Sequence, residues 1–294
     1  MKIIRVFPCH TSHTPIDDLS FSPKWQGAYP GLWRPEADEV HVSVTFTWDK
    51  AEGERLAEAW AQYYPIVRIG GPAYDMSPAG FVPGRYIKPG VTFTSYGCNR
   101  RCSWCLVPSR EGCLVEVEDF PEGHIIQDNN FLQCSREHMQ HVFDMLHEQK
   151  EQAEFTGGLD ARLVDDWVAD RLAELRRAHK LKHMFLAADT KGSLSALGRA
   201  IETLVRRAAL MDTKYHINNL RVYTLIAFNG EAMDEAEKRL RAVWELGGMP
   251  HAQLYQPADE FIEYGQKWKK FSRAWQREAI IKSRAANGWK PIWI

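Results

Sequence analysis

No apolar run in this chain approaches the 18 or so residues that a membrane-crossing helix needs, and the opening Met1-Lys2-Ile3-Ile4-Arg5-Val6-Phe7-Pro8 is too short for a signal peptide. The expectation is a cytoplasmic protein with no membrane partner. An excess of one charge is missing too. Lys and Arg number 37 against 38 Asp and Glu, a formal net charge of −1, which excludes a nucleic-acid footprint over the whole molecule and leaves room for a local basic patch. Cysteine is scarce, six in 294 residues with three of them clustered, which fits a reducing compartment and not a disulfide framework. The chain has neither an internal repeat nor a low-complexity segment.

The clustered cysteines are Cys98, Cys102 and Cys105, spaced C-x₃-C-x₂-C directly after the apolar run Val91-Thr92-Phe93-Thr94-Ser95-Tyr96. Thiolates are the usual ligands of iron–sulfur clusters, and three of them on a four-iron cubane leave one iron open for chemistry. The competing reading is a structural zinc site, which needs a fourth ligand such as Cys113 or His124 and more often shows paired C-x₂-C halves. Cys113 and Cys134 read as core cysteines, given how often free cysteine is buried. Pro8-Cys9-His10-Thr11-Ser12-His13 reads as a thiol beside surface imidazoles and not as a second metal site.

From residue 91 onward β-type runs alternate with helical stripes, the signature of a parallel sheet built from βαβ units. Strands are predicted at 91–96, 123–128, 153–158, 182–187, 220–227 and 251–255, starting 29 to 38 residues apart, close to the roughly 30 that one unit requires. Met139, Val142, Phe143 and Leu146 form a helical stripe behind an N-cap at Ser135. Leu194 to Val205 and Met233 to Trp244 form two more, the second stopped by Gly247, Gly248 and Pro250. One unit is irregular, because Gly112 to Glu122 reads as extended or turn structure where a first helix is usual. The predicted fold class is α/β, a partial (β/α)₆ TIM-like barrel over 89–258 with a small N-terminal α/β cap over 1–88 and a Trp-rich helical tail over 259–294.

The cysteine spacing, with the aromatic Trp104 just before the last cysteine, resembles the radical S-adenosylmethionine superfamily. The resemblance implies a [4Fe–4S] cluster on Cys98, Cys102 and Cys105, with S-adenosylmethionine on the open iron. It also implies a reducing partner such as flavodoxin or ferredoxin, and a 5′-deoxyadenosyl radical that abstracts hydrogen from a substrate. Ligands of parallel sheets sit at the carboxyl ends of the strands, which directs attention to the residues after each one. Asp128-Asn129-Asn130-Phe131 follows the second strand, where the superfamily often has Gly-Gly-Glu, and Asp128 and Asn129 are placed at the ammonium of the methionine moiety. After the third strand, Arg162 suits the methionine carboxylate and Asp160 a ribose hydroxyl, unless the two pair with each other at the rim. Asp189 follows the fourth strand as a ribose or substrate contact, and Trp104 is placed near the adenine.

The strand, helix, strand, Gly-Gly-Pro order over Val40 to Pro72 is similar to the end of the cobalamin-binding domain of one subgroup. No Asp-x-His-x-x-Gly motif occurs, so bound cobalamin is not expected. Two other classes stay open: an iron–sulfur electron-transfer protein, and a zinc-stabilised nucleic-acid-binding module using Cys98, Cys102, Cys105, Cys113 and the basic tail. A nucleotide or nucleic-acid substrate is favoured only by that tail, Lys267 to Arg277, although Trp268, Phe271 and Trp275 are spaced to dock one helix face. The aromatic ending Gly288 to Ile294 is expected to be tied down on the body.

Overall fold

The computed structural model describes residues 1–74, 84–257 and 260–289. It divides into two compact units, Met1–Val91 with Pro257–Phe261, and Thr92–Gln256 with Ile262–Ile294.

The first unit holds strands β1 (Ile3–Val6), β2 (Ser20–Phe21), β3 (Glu39–Ser43) and β4 (Val67–Gly70), with helix α1 (Lys50–Ala61) between the last two. They form a parallel sheet in the order β2-β1-β3-β4. Ile4, Val6, Val40 and Val42 alternate with polar residues and meet Leu56 and Trp60 of α1 in one core. The strand pair β1 and β2 extends the β3-α1-β4 order that is legible in the sequence.

The second unit is a six-stranded sheet. Its strands are β5 (Val91–Thr92), β8 (Ile125–Ile126), β9 (Ala153–Asp160), β10 (Leu181–Ala187), β11 (Leu220–Ile226) and β12 (Met249–Leu254), and β6 (Ser95–Tyr96) and β7 (Val115–Glu116) form a separate antiparallel pair. The order β12-β11-β10-β9-β8-β5 places each strand beside its predecessor, and β8 to β12 run parallel. No pairing joins β12 to β5 among the described residues, so the sheet is open. The irregular unit contains only a one-turn helix, α2 (Val107–Arg110), followed by the extended β7.

Helices α3 (Arg136–Glu148), α4 (Asp166–Arg177), α5 (Leu194–Leu210) and α6 (Met233–Glu245) follow β8 to β11 in turn. Ser135 caps α3 by accepting from His138 N–H, and Asp165 caps α4 by accepting from Val168 N–H. Their apolar stripes close on Phe155, Met184, Leu186 and Val222 of the sheet. Pro250 lies inside β12 and not between helix and strand; β12 is an edge strand, where a missing N–H costs least.

The tail forms α7 (Gln266–Ala274) and α8 (Glu278–Ala286). Phe271 and Trp275 are fully buried beside Ile226, Leu240, Met249 and Ala252, while Lys267, Lys270 and Arg273 are exposed. Trp289 stacks on Trp275 at 5.2 Å, and the rest of the aromatic ending, 290–294, lies outside the described residues.

The other face of the sheet carries Phe185 and Tyr223, stacked at 4.1 Å, with His251 edge-on to both at 5.5 and 5.6 Å. Burial, reinforced by the Arg221 cation, pushes the His251 imidazole down to about 4. The unfolded chain takes up a proton near pH 6.5 that native His251 refuses, so this group costs stability as pH falls from about 6.5 toward 4. A His251→Phe variant is expected to lose less stability than wild type between pH 7 and pH 4.5, read by urea unfolding. Equal losses would show that the native imidazole is not held neutral.

Candidate functional site at the cysteine loop

Gly97 turns the chain out of β6 with φ +74°, and a Cβ there would lie 2.2 Å from the carbonyl oxygen of Cys113. Only glycine fits. Beyond it the loop is closed by backbone bonds, Cys98 N–H to Gly112 C=O at 3.1 Å and Cys105 N–H to Cys102 C=O at 3.0 Å. The Asn99 side chain adds a bond by accepting from Leu114 N–H at 3.0 Å. The Glu111 carboxylate accepts from Gly97 N–H at 3.0 Å and from the Asn129 side-chain amide. A Gly97→Ala variant is expected to lose about 1–3 kcal/mol of stability in denaturant unfolding, from the left-handed backbone and the carbonyl clash together. An unchanged midpoint and slope would show that the loop can move aside.

The three thiols differ in exposure. Cys98 is buried, Cys102 half-buried and Cys105 exposed, and they lie within electrostatic reach of one another. The Cys98 sulfur accepts from Arg100 N–H at 3.4 Å and from the side-chain amides of Gln133 at 3.5 Å and Asn130 at 3.9 Å. Burial pushes the Cys102 thiol up, and the charge of the nearby Arg162 guanidinium pulls part of the way back. Among the described residues no three His, Cys, Asp or Glu side chains converge on a single ion. Cys113 is exposed and not a core residue as its composition class led us to expect, because the extended stretch after α2 carries it over the surface. Cys134 is buried, and desolvation pushes its thiol up to about 12.

Asp128 does not face the loop opening. Its carboxylate is 1 % exposed and accepts from Thr94 N–H at 2.7 Å, Thr94 Oγ1 at 2.5 Å and Ser95 Oγ at 2.8 Å. Burial pushes this carboxyl above its usual range although these donors oppose the shift. Asp128 therefore ties the chain between β5 and β6 to the end of β8 through three internal donors. The close approach continues on the next strand, since a Cβ on Gly157 would lie 1.8 Å from the Asp128 carbonyl oxygen. Asn129, held by Glu111, braces the loop from the same side.

Asp160 and Arg162 pair with each other, at 2.7 and 2.9 Å, and Arg100 from the cysteine loop joins the same carboxylate at 2.9 Å. Burial alone would raise the Asp160 carboxyl, but the two guanidiniums outweigh it and hold the group below the usual carboxylate range. At the end of β10, Asp189 accepts from Leu225 N–H at 3.2 Å, with the Trp104 side chain beside it. Trp104 in turn packs edge-on against Phe228 at 5.8 Å. Phe228 is presented by a turn in which Ala227, Asn229 and Gly230 are all left-handed. Asp189, Thr190, Phe228, Glu231 and Arg239 line a cavity of ≈ 380 Å³ there.

Compared with known proteins, the chain matches no family model, no curated protein and no solved structure.

The structure thus brings Cys98, Cys102, Cys105, Trp104, Asp160, Arg162 and Asp189 to one end of the sheet, and commits Asp128 and Asn129 to bracing it. Sequence reasoning did not single out Arg100, Asn130 and Gln133. Asn130 is 5 % exposed, and among the described residues its side-chain oxygen has no hydrogen-bond partner. The available signal was position: Arg100 lies between two of the cysteines, and Asn130 and Gln133 follow Asp128 in the same strand-end run.

Proposed function

We propose that the chain is a radical S-adenosylmethionine enzyme built on a partial (β/α)₆ barrel, with Cys98, Cys102 and Cys105 as ligands of a [4Fe–4S] cluster. The observation that carries this reading is the C-x₃-C-x₂-C loop at the carboxyl edge of a sequentially ordered parallel sheet, with a first sulfur already surrounded by N–H donors. The triplet favours a cluster over zinc by its ligand count, since zinc needs a fourth protein ligand whereas a cubane can leave one iron open.

Cys98, Cys102 and Cys105 would hold the cluster, which, reduced by a flavodoxin- or ferredoxin-type partner, would supply the electron for reductive cleavage of S-adenosylmethionine. The protein's own groups bind and orient. The unpartnered Asn130 oxygen is an acceptor for the methionine ammonium, in place of Asp128. Arg100, 37 % exposed, and Arg162, 51 % exposed, keep donors free for the carboxylate beyond their bonds to Asp160. Trp104, edge-on to Phe228 and beside Asp189 at the strand ends, is placed to flank the adenosine. A cytoplasmic setting follows from the cluster's need for a reducing compartment.

The test is anaerobic reconstitution with iron and sulfide, reduction by dithionite with S-adenosylmethionine present, and assay of 5′-deoxyadenosine. Its cluster-dependent formation supports the reading. A brown protein that forms none supports the electron-transfer class, which the engagement of Asp128 and Arg162 in internal bonds favours. A colourless protein holding stoichiometric zinc overturns both.

A further inference from the structure

Gln133 closes the three-residue turn Phe131–Gln133, which is anchored by Phe131 at 1 % and Leu132 at 6 % exposure. Its side-chain oxygen accepts from Asn99 N–H at 2.8 Å, and its amide nitrogen lies 3.5 Å from the Cys98 sulfur. These two contacts fix the orientation of the amide. Turned over, it would aim an NH₂ group at the Asn99 N–H and a carbonyl lone pair at the sulfur, losing both bonds. The donor is therefore held on Cys98 by a clamp built from the cysteine loop itself, because Asn99 is the residue next to Cys98 in sequence.

We propose that Gln133 is a positioning residue that sets the reduction potential of the cluster through its N–H bond to the Cys98 sulfur. The inference rests on the cluster reading above. Hydrogen bonds to cluster sulfurs are among the determinants of potential. In the one-electron reduction the reductant, dithionite in the test, delivers an electron and the cluster gains one negative charge. An N–H donor on a ligand sulfur stabilises the more negative, reduced form. Gln133 thereby raises the potential and makes the cluster easier to reduce. Arg100 N–H makes a similar bond, but that donor is backbone and follows the loop, whereas Gln133 can be replaced.

The experiment is a spectroelectrochemical titration of the reconstituted full chain, wild type beside Gln133→Leu and Gln133→Glu, with iron content measured on each. Gln133→Leu is expected to lower the midpoint by a tenfold change in the oxidised-to-reduced ratio, about 59 mV for one electron. Gln133→Glu keeps an acceptor for Asn99 N–H but sets a carboxylate against the sulfur, and is expected to lower the midpoint further at wild-type iron content. If Gln133→Leu fails to retain iron, Gln133→Glu decides alone. Midpoints equal to wild type at equal iron content overturn the inference and leave the cluster reading standing. A wild-type protein that takes up no iron–sulfur cluster overturns both.

Discussion

Cys102→Ala is expected to reduce 5′-deoxyadenosine formation to the level of a protein-free blank and to lower iron uptake on reconstitution. In the proposed cluster each of the three thiolates would supply one bond, and the neighbours of Cys102, Arg101 and Ser103 in sequence and Arg162, Asp189 and Asp160 around it, include no second thiol beyond the triplet itself. The exposed Cys113 provides the contrast. Cys113→Ala should leave both iron content and product formation at wild-type values, because it lies outside the triplet. A zinc site using Cys98, Cys102, Cys105 and Cys113 predicts the opposite, with metal lost from both variants. Residual product in Cys102→Ala, or loss of metal in Cys113→Ala, therefore refutes the proposed ligand set.

Trp275→Ala is expected to cost about 3–5 kcal/mol in denaturant unfolding, the range for removing a large buried aromatic side chain. The indole is fully buried, stacks on Trp289 and lies under the Arg284 guanidinium at 4.8 Å. That guanidinium is itself 7 % exposed and paired with Glu237 of α6, so the truncation opens a cavity beside a desolvated cation. Lys267→Ala and Lys270→Ala, on the exposed side of α7, should change stability by less than about 0.5 kcal/mol. A loss below about 1 kcal/mol for Trp275→Ala would mean that the tail is peripheral. The burial of Phe271 and Trp275 also removes these aromatics as stacking platforms for bases, leaving a nucleic-acid reading to rest on the exposed Lys and Arg alone.

The strands β8 to β12 were legible from runs at a near-constant interval bounded by turn residues, whereas the run 91–96, expected as one strand, is split into β5 and β6, which lie in different sheets. Helices α3, α5 and α6 were legible because their stripes are cleanly apolar. Helix α4 was not singled out, although Val168, Leu172 and Leu175 form as regular a stripe, because Asp and Arg residues crowd the intervals. The cysteine loop was visible because its ligand spacing is local. The task of Asp128 was not, since its partners Thr94 and Ser95 lie more than 30 residues earlier and sequence carries no direction for a side chain. The Asp160–Arg162 pair stood as one of two readings, and the third member, Arg100, enters across 60 residues of chain.

The strands that carry the cysteine loop are the shortest in the second unit. β5, β6, β7 and β8 have two residues each, whereas β9 to β12 have six to eight. A margin held by so few ladder bonds opens locally at far less cost than the long strands beside it. In the proposed cluster protein, iron and sulfide would enter by transient fraying of that margin while the remainder of the sheet stays closed, so refilling after oxidative loss would not require unfolding.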